Sequence, residues 1–364
     1  MTPGEVSTLP RVLAWPGMGY RARNPYTWLL YSHLARLGVQ IRDFTAARVL
    51  RGGYDVLHIH WPEKVLSALP GLGKAVGAGV GVGLLEAAHR HGARIVWTAH
   101  NVRPHESRDT RLERWYWSQM VRRVDAVIHP SVSSRAAVEA RYPDLAPQPS
   151  AVIPLGHFRG SYPDRLTRAE ARAGFGIRTG TRALTFLGLV RPYKNVPHLI
   201  RTVRSLPADM SVVLLVAGKP LTPDLAATVE AAAGSDPRVR LTLRRVPDDE
   251  VQRYLRAADL VVLPFTDITN SASALLALSF DRPVLVPSLG AMGELQALVG
   301  PDWVRTYCGD LTPAVLSDAI TWAGRRAGAM PDLDALDWSA IARRTLSLYQ
   351  AVSRGEAPGR GAAV

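Results

Sequence analysis

Apolar residues gather in short, nearly unbroken runs along this chain, separated by longer stretches of mixed polarity. Runs at 11–16, 39–44, 55–61, 94–101, 125–131 and 151–156 predict the strands of a first block. Runs at 183–189, 211–218, 239–246, 259–265, 282–288 and 304–309 predict a second series. Runs of Val, Leu and Ile without alternation belong to strands buried on both faces, and so to parallel sheets covered by helices. Patterns of helical period lie between several of them, as at 26–37 and 111–123. Strand and helix alternating in two series predict an α/β protein of two doubly wound units.

Gly, Pro, Arg and Tyr interrupt the periodicity over 156–180, which places the domain boundary there. The predicted layout is a first domain over 1–157 and a second over 158–335. A helix follows at 338–353, with Ile341, Thr345, Leu346, Leu348 and Tyr349 near one stripe, and 354–364 reads as a disordered end. The Gly-rich stretch 71–83 fits either a flexible lip or a closely packed helix.

Composition narrows the function classes. The length of 364 residues suits two α/β cores, and 47% apolar with 21% charged residues is a globular balance. Cys308, the single cysteine, excludes an internal disulfide and fits a small apolar filler on a late strand. No apolar run reaches the roughly 18 to 20 residues of a membrane span. The start Met1-Thr-Pro-Gly-Glu-Val lacks the pattern of a signal peptide. Together these predict a cytoplasmic protein, at most peripheral at the inner membrane face. A formal charge of +13 favours anionic partners. The basic residues are scattered, with no zinc-finger spacing or RNA-binding signature, so nucleic acid is not expected.

Two segments carry the strongest chemistry. Phe186-Leu-Gly-Leu-Val-Arg-Pro-Tyr-Lys-Asn195 and Thr269-Asn-Ser-Ala-Ser273 each lie where an apolar strand ends and a helix begins. A helix N-terminus offers unpaired N–H groups and a positive dipole end. Arg191 and Lys194 beside such a start suit a diphosphate, and hence a nucleotide-sugar.

This pattern resembles a GT-B glycosyltransferase, with two Rossmann-like doubly wound parallel-sheet domains facing each other across a cleft. Phe186-Leu-Gly188 followed by Arg191 and Lys194 resembles the element that holds the donor diphosphate in the GT4-like group of bacterial polysaccharide and glycolipid enzymes. The usual Arg directly after the Gly is Leu189 here. Ala277-Leu-Ser-Phe-Asp-Arg-Pro283-Val matches the family's turn, but the Glu pair that usually precedes it falls on Ile268 and Leu276. The resemblance therefore implies a hexosyl donor linked to GDP or UDP, and leaves the stereochemistry open. It also implies a C-terminal helix crossing back onto the first domain, and a His100 that touches the donor sugar.

Ligands of parallel α/β sheets lie beyond the carboxyl ends of the strands. Gly17 and Gly19 follow the first strand and allow close backbone approach to the donor, with Arg21 and Asn24 nearby for the acceptor. The third strand ends in His58, His60 and Glu63, and the fourth in His100, Asn101, His105 and Glu106. His58, deeper in its strand, fits a satisfied core histidine. Glu63, His105 and Glu106 are the candidate catalytic bases, and His60 and Asn101 candidate acceptor contacts. Thr269, Asn270, Ser271 and Ser273 complete the donor set. The spacing suits no metal site, and no cofactor is expected, because the nucleotide-sugar is itself a substrate.

The segment 111–123 places Leu112, Trp115, Tyr116 and Met120 on one side, with Arg around them. That suits a core-facing stripe or a helix touching anionic membrane, as a lipid-linked acceptor would require. The other acceptors in view are a saccharide or a small molecule. Two alternatives stand beside transfer: a sugar-nucleotide epimerase of the same fold, and a non-catalytic nucleotide-sugar-binding subunit.

Overall fold

A computed structural model describes residues 9–21, 24–67, 73–102, 110–324 and 330–356. The chain divides into two compact units, one of Met1–Gly156 with Leu336–Val364, the other of His157–Ala335.

The first unit holds a parallel sheet of β1 (Arg11–Trp15), β2 (Gln40–Asp43), β3 (Val56–Ile59), β4 (Arg94–Thr98), β5 (Ala126–His129) and β6 (Ser150–Val152), in the order β2-β1-β3-β4-β5-β6. Order reverses between β1 and β3. The second unit holds β7 (Arg182–Leu187), β8 (Val212–Ala217), β9 (Val239–Thr242), β10 (Leu260–Val262), β11 (Val284–Pro287) and β12 (Val304–Tyr307), in the order β12-β11-β10-β7-β8-β9. Here the order reverses between β7 and β10. Such reversals leave room beyond the carboxyl ends of the two strands, because the helices that follow them cover opposite faces.

The same device pins strand starts in both sheets. An aspartate standing just before one strand accepts the first N–H groups of its neighbour. Asp55 takes the Arg11 N–H, Asp125 the Ile95 N–H and Asp259 the Ala183 N–H, each at 2.7 Å. Asp259 is buried and also meets Arg168 and Arg172, so its charge is compensated.

The helix Trp338–Ser353 starts on Asp337, whose carboxylate accepts the Ser339 N–H at 2.8 Å. It buries Ile341, Thr345, Leu348 and Tyr349 within the first unit and packs on the helix Pro25–Arg36. Gly156, at the unit boundary, has no room for a side chain: a Cβ there would lie 2.3 Å from the Trp338 ring.

From residue 73 the Gly-rich stretch is helical, as the start of Gly73–Arg90. Its Ala78 packs against Tyr116 of the helix Arg111–Val121, with Val82 and Leu112 alongside. That second helix corrects the predicted stripe. Tyr116, Trp117, Met120 and Val121 are buried, whereas Trp115 is 43% exposed. Cys308 is also corrected. It follows the last residue of β12 and is exposed, so it fills no core position. No helix among the described residues is long and apolar enough to cross a membrane.

Candidate active site

In the second unit the two predicted segments meet at the β7/β10 reversal. β7 is followed by Gly188, whose φ of +141° few other residues adopt, and the neighbouring β8 by Gly218. A Cβ on Gly218 would fall 1.8 Å from the Gly188 carbonyl oxygen, so the two strand ends close on each other only as glycines. The chain then turns through Pro192–Lys194 and a left-handed Asn195 into the helix Val196–Arg204. This turn carries Lys194 back over the strand end. A Cβ placed on Gly188 would lie 3.2 Å from Lys194 Nζ and 3.3 Å from Ser273 Oγ. Gly188, Lys194 and Ser273 therefore border one small space.

Lys194 is only 9% exposed, and its ammonium faces the rings of Phe186 and Phe265. No hydrogen bond or carboxylate compensates it among the described residues. Burial, with Arg191 nearby, pulls its pKa down to about 8. A largely buried cation with no carboxylate beside it among the described residues suits an anionic ligand.

The helix Ala272–Ser279 begins at the same place. Ser271 is its cap: buried, with Oγ accepting the Ala274 N–H at 3.1 Å. The hydroxyl facing Gly188 belongs to Ser273, while Ser271, predicted as a phosphate contact, also serves as the helix cap. The Thr269 carbonyl accepts the Ala291 N–H at 2.9 Å, which fixes the loop ahead of the helix. Asn270 Nδ2 is buried without a partner among the described residues, a donor left over for a ligand or water. Ile268 is buried and Leu276 half-buried, so no carboxylate stands at either position.

In the first unit the β1/β3 reversal collects the remaining candidates. Asp43, at the end of β2, accepts the Met18 and Gly19 N–H groups at 2.9 Å each. A Cβ on Gly17 would come within 2.2 Å of Asp43 Oδ1, and one on Gly19 within 2.9 Å of Oδ2. The close approach these glycines allow is therefore to Asp43. Of the two predicted donor contacts, Gly19 has its N–H taken by Asp43. Asn24 caps the helix Pro25–Arg36 by accepting the Tyr26 N–H at 3.0 Å, and the Arg21 guanidinium lies 4.0 Å over the Trp28 ring. Asn101 is half-buried just beyond β4.

His58 is fully buried and bonded on both nitrogens: Nδ1 to Tyr349 Oη (2.6 Å) and Tyr31 Oη (3.0 Å), Nε2 to Thr98 Oγ1 (2.7 Å). His60 is also buried, with Nε2 2.7 Å from Tyr31 Oη and Nδ1 3.1 Å from His100 Nε2. It has no nitrogen left for an acceptor, which corrects its predicted role. His100 is half-buried under the stacked ring of Trp61.

Glu63 sits on the short turn Pro62–Ser67, and burial pushes its carboxyl up to about 7. Beside it Lys64 donates to Tyr20 Oη at 2.6 Å and lies over the Tyr20 and Trp61 rings. A carboxyl that titrates near neutrality at a strand end is equipped to accept a proton. His105 and Glu106 lie outside the described residues. No group of three His, Cys, Asp or Glu side chains among the described residues is placed to hold a metal.

The sequence did not point to Tyr31, Asp43, Lys64 or Tyr349. A buried tyrosine needs a partner for its hydroxyl, which is the one signal the helical stripes carried.

Residues 5–157 match the model of Glycosyltransferase Family 4, and residues 181–320 that of Glycosyl transferases group 1. A GDP-mannose:glycolipid 4-beta-D-mannosyltransferase of Xanthomonas campestris pv. campestris is 34% identical over 329 residues, which is 90% of this chain and 88% of that protein. This chain belongs to the GT4-like glycosyltransferases. Among solved structures, sucrose-phosphate synthase from Thermosynechococcus elongatus has a TM-score of 0.63 at 15% identity, covering 96% of this chain and 95% of that one. Anabaena HepE, in complex with UDP-glucose, has a TM-score of 0.60 at 16% identity, covering 95% and 99%. These two establish the GT-B fold. As a GT4-like glycosyltransferase the chain moves a sugar from a nucleotide-sugar to an acceptor, and neither the epimerase nor the binding-only alternative finds support.

Proposed function

We propose that this enzyme transfers mannose from GDP-mannose to a hydroxyl of a glycolipid, without a metal ion, with Glu63 as the base. The observation that carries the site is the largely buried Lys194 beside Gly188 and Ser273, a positive charge with no protein counter-ion among the described residues. A departing diphosphate supplies that counter-ion. Arg191 and the start of the helix Ala272–Ser279 add positive potential in place of a cation. The donor and acceptor follow the Xanthomonas relative, whose alignment spans most of both chains.

As the acceptor oxygen attacks the sugar, its proton must leave. Glu63, held to about 7, is half ionised near neutral pH and suits that transfer. A glycolipid acceptor also fits the outer face of the helices Gly73–Arg90 and Arg111–Val121. Val76, Val80 and Trp115 are exposed there, with Arg111 and Arg114 on the same helix as Trp115. Apolar side chains beside cations suit peripheral contact with anionic lipid.

The test is transfer from radiolabelled GDP-mannose, UDP-glucose and UDP-glucuronate to lipid-linked saccharides in anionic vesicles, with and without EDTA. Mannose should be transferred from GDP-mannose alone, and EDTA should change the rate less than twofold. Transfer from a UDP-sugar only, or loss of activity restored by magnesium or manganese, would overturn the reading.

A further inference from the structure

Three histidines and two tyrosines form one hydrogen-bonded chain inside the first unit. It runs from Tyr349 to His58, across Tyr31 to His60, and on to the half-buried His100. Its geometry permits one proton order. We infer that Tyr31 sets this order, so that His100 presents an N–H, and not a lone pair, at Nδ1 to an oxygen of the sugar substrate.

Each neutral imidazole has one donor nitrogen and one acceptor nitrogen. Burial keeps these rings neutral: it lowers His58 and His100 to about 3 and takes His60 well below its ordinary value. Suppose first that His58 carries its proton on Nε2 and donates to Thr98. Its single Nδ1 lone pair then accepts from Tyr349 at 2.6 Å, because that hydroxyl has no other acceptor among the described residues. The Tyr31 proton is left for His60 Nε2 at 2.7 Å.

Suppose instead that His58 carries its proton on Nδ1. It then donates towards the tyrosine oxygens and already leaves the Tyr349 proton without an acceptor among the described residues, and the Tyr31 proton still has only His60 Nε2 to go to. Both cases make Nε2 of His60 an acceptor. His60 must then hold its proton on Nδ1 and donate it to His100 Nε2 at 3.1 Å. His100 is left protonated on Nδ1, which has no partner among the described residues. The opposite order would leave a buried tyrosine hydroxyl without an acceptor, a cost native structures rarely carry.

Two consequences follow. His100 cannot deprotonate an acceptor hydroxyl through Nδ1, which leaves that step to another group such as Glu63. Its ring, held by stacking on Trp61 with centroids 4.8 Å apart, instead offers a fixed donor to an oxygen. Tyr31 and His60 are positioning residues, acting through His100. That the oxygen belongs to a sugar rests on the proposed function; the proton order does not.

Long-range proton–nitrogen spectra of the full chain, labelled at the imidazole nitrogens and recorded without substrate at pH 7, read the tautomers directly. His60→Gln and His100→Gln variants assign the signals. Both rings should be neutral with the proton on Nδ1, and Tyr31→Phe should shift His100 to a mixture of tautomers. A proton on Nε2 of His100 in the unmodified chain would overturn the inference. So would an unchanged His100 pattern in a folded Tyr31→Phe protein. If that variant does not fold, the unmodified chain alone decides. With substrate, His100→Gln, which keeps an N–H donor, should retain about tenfold more kcat/KM than His100→Ala. Equal loss in both would contradict the donor role while leaving the tautomer result standing by itself.

Discussion

Tyr349 Oη lies 2.6 Å from His58 Nδ1, joining the C-terminal helix to the centre of the first sheet across 291 residues of chain. The contact is buried at both ends, so it is made in full or replaced by an unsatisfied nitrogen. Tyr31 stands 3.0 Å from the same nitrogen and can partly take over. Tyr349→Phe should therefore destabilise by only about 1 kcal/mol. Removing residues 336–364 should expose the helix Pro25–Arg36 and cost several times more. Chemical denaturation of both variants checks this.

Glu63 sets a pH profile with a definite sign. Its folded pKa of about 7 lies above the ordinary 4.5, so the fold favours the protonated form. kcat/KM should fall below pH 7 as the base is protonated. Stability should run the other way: Glu63 contributes most below pH 4.5, and that contribution is lost as pH rises through 7. Glu63→Gln should lower kcat by about 10²–10⁴. It should also raise the melting temperature at pH 8, where the wild-type carboxylate is charged and partly desolvated.

Ser271 and Ser273 separate structure from binding. Ser271 caps a buried helix, so Ser271→Ala should cost about 1 kcal/mol of stability and change nucleotide affinity little. Ser273 borders the space at Gly188 and Lys194. Ser273→Ala should leave the melting temperature in place and weaken GDP binding by about 2–10-fold. Calorimetric titration and thermal unfolding of the pair give both readouts.

Burial pattern decided what the sequence could reveal. Strands such as β7 and β8 read clearly because burial on both faces leaves unbroken Leu and Val. The stripe through Ile341, Thr345, Leu348 and Tyr349 read clearly because a long helix repeats its period. Trp115 and Trp117 did not, since two aromatics so close leave the face open until Ala78 packs against Tyr116. Cys308 misled because the run predicted as a strand over 304–309 continues past the strand itself.

Proximity was legible where one segment carries it, as at Gly188 and Lys194. It was hidden where two distant segments share it. Asp43 explains Gly17 and Gly19, and Tyr31 occupies His60, through contacts that no local pattern encodes.

On the proposed function the charge of Lys194 governs the donor site, and GDP binding by wild type and Lys194→Met at pH 7 and pH 9.5 tests this most directly. The free ammonium, depressed from 10.5 to about 8, loses its proton across that interval, whereas bound diphosphate would hold it. Wild-type affinity should drop about tenfold or more from pH 7 to 9.5. The methionine variant should bind about 10–100-fold more weakly than wild type at pH 7, with a flatter pH dependence. It should also be at least as stable, because it buries no unpaired charge. Equal affinity of the two proteins at pH 7 would contradict a diphosphate at Lys194.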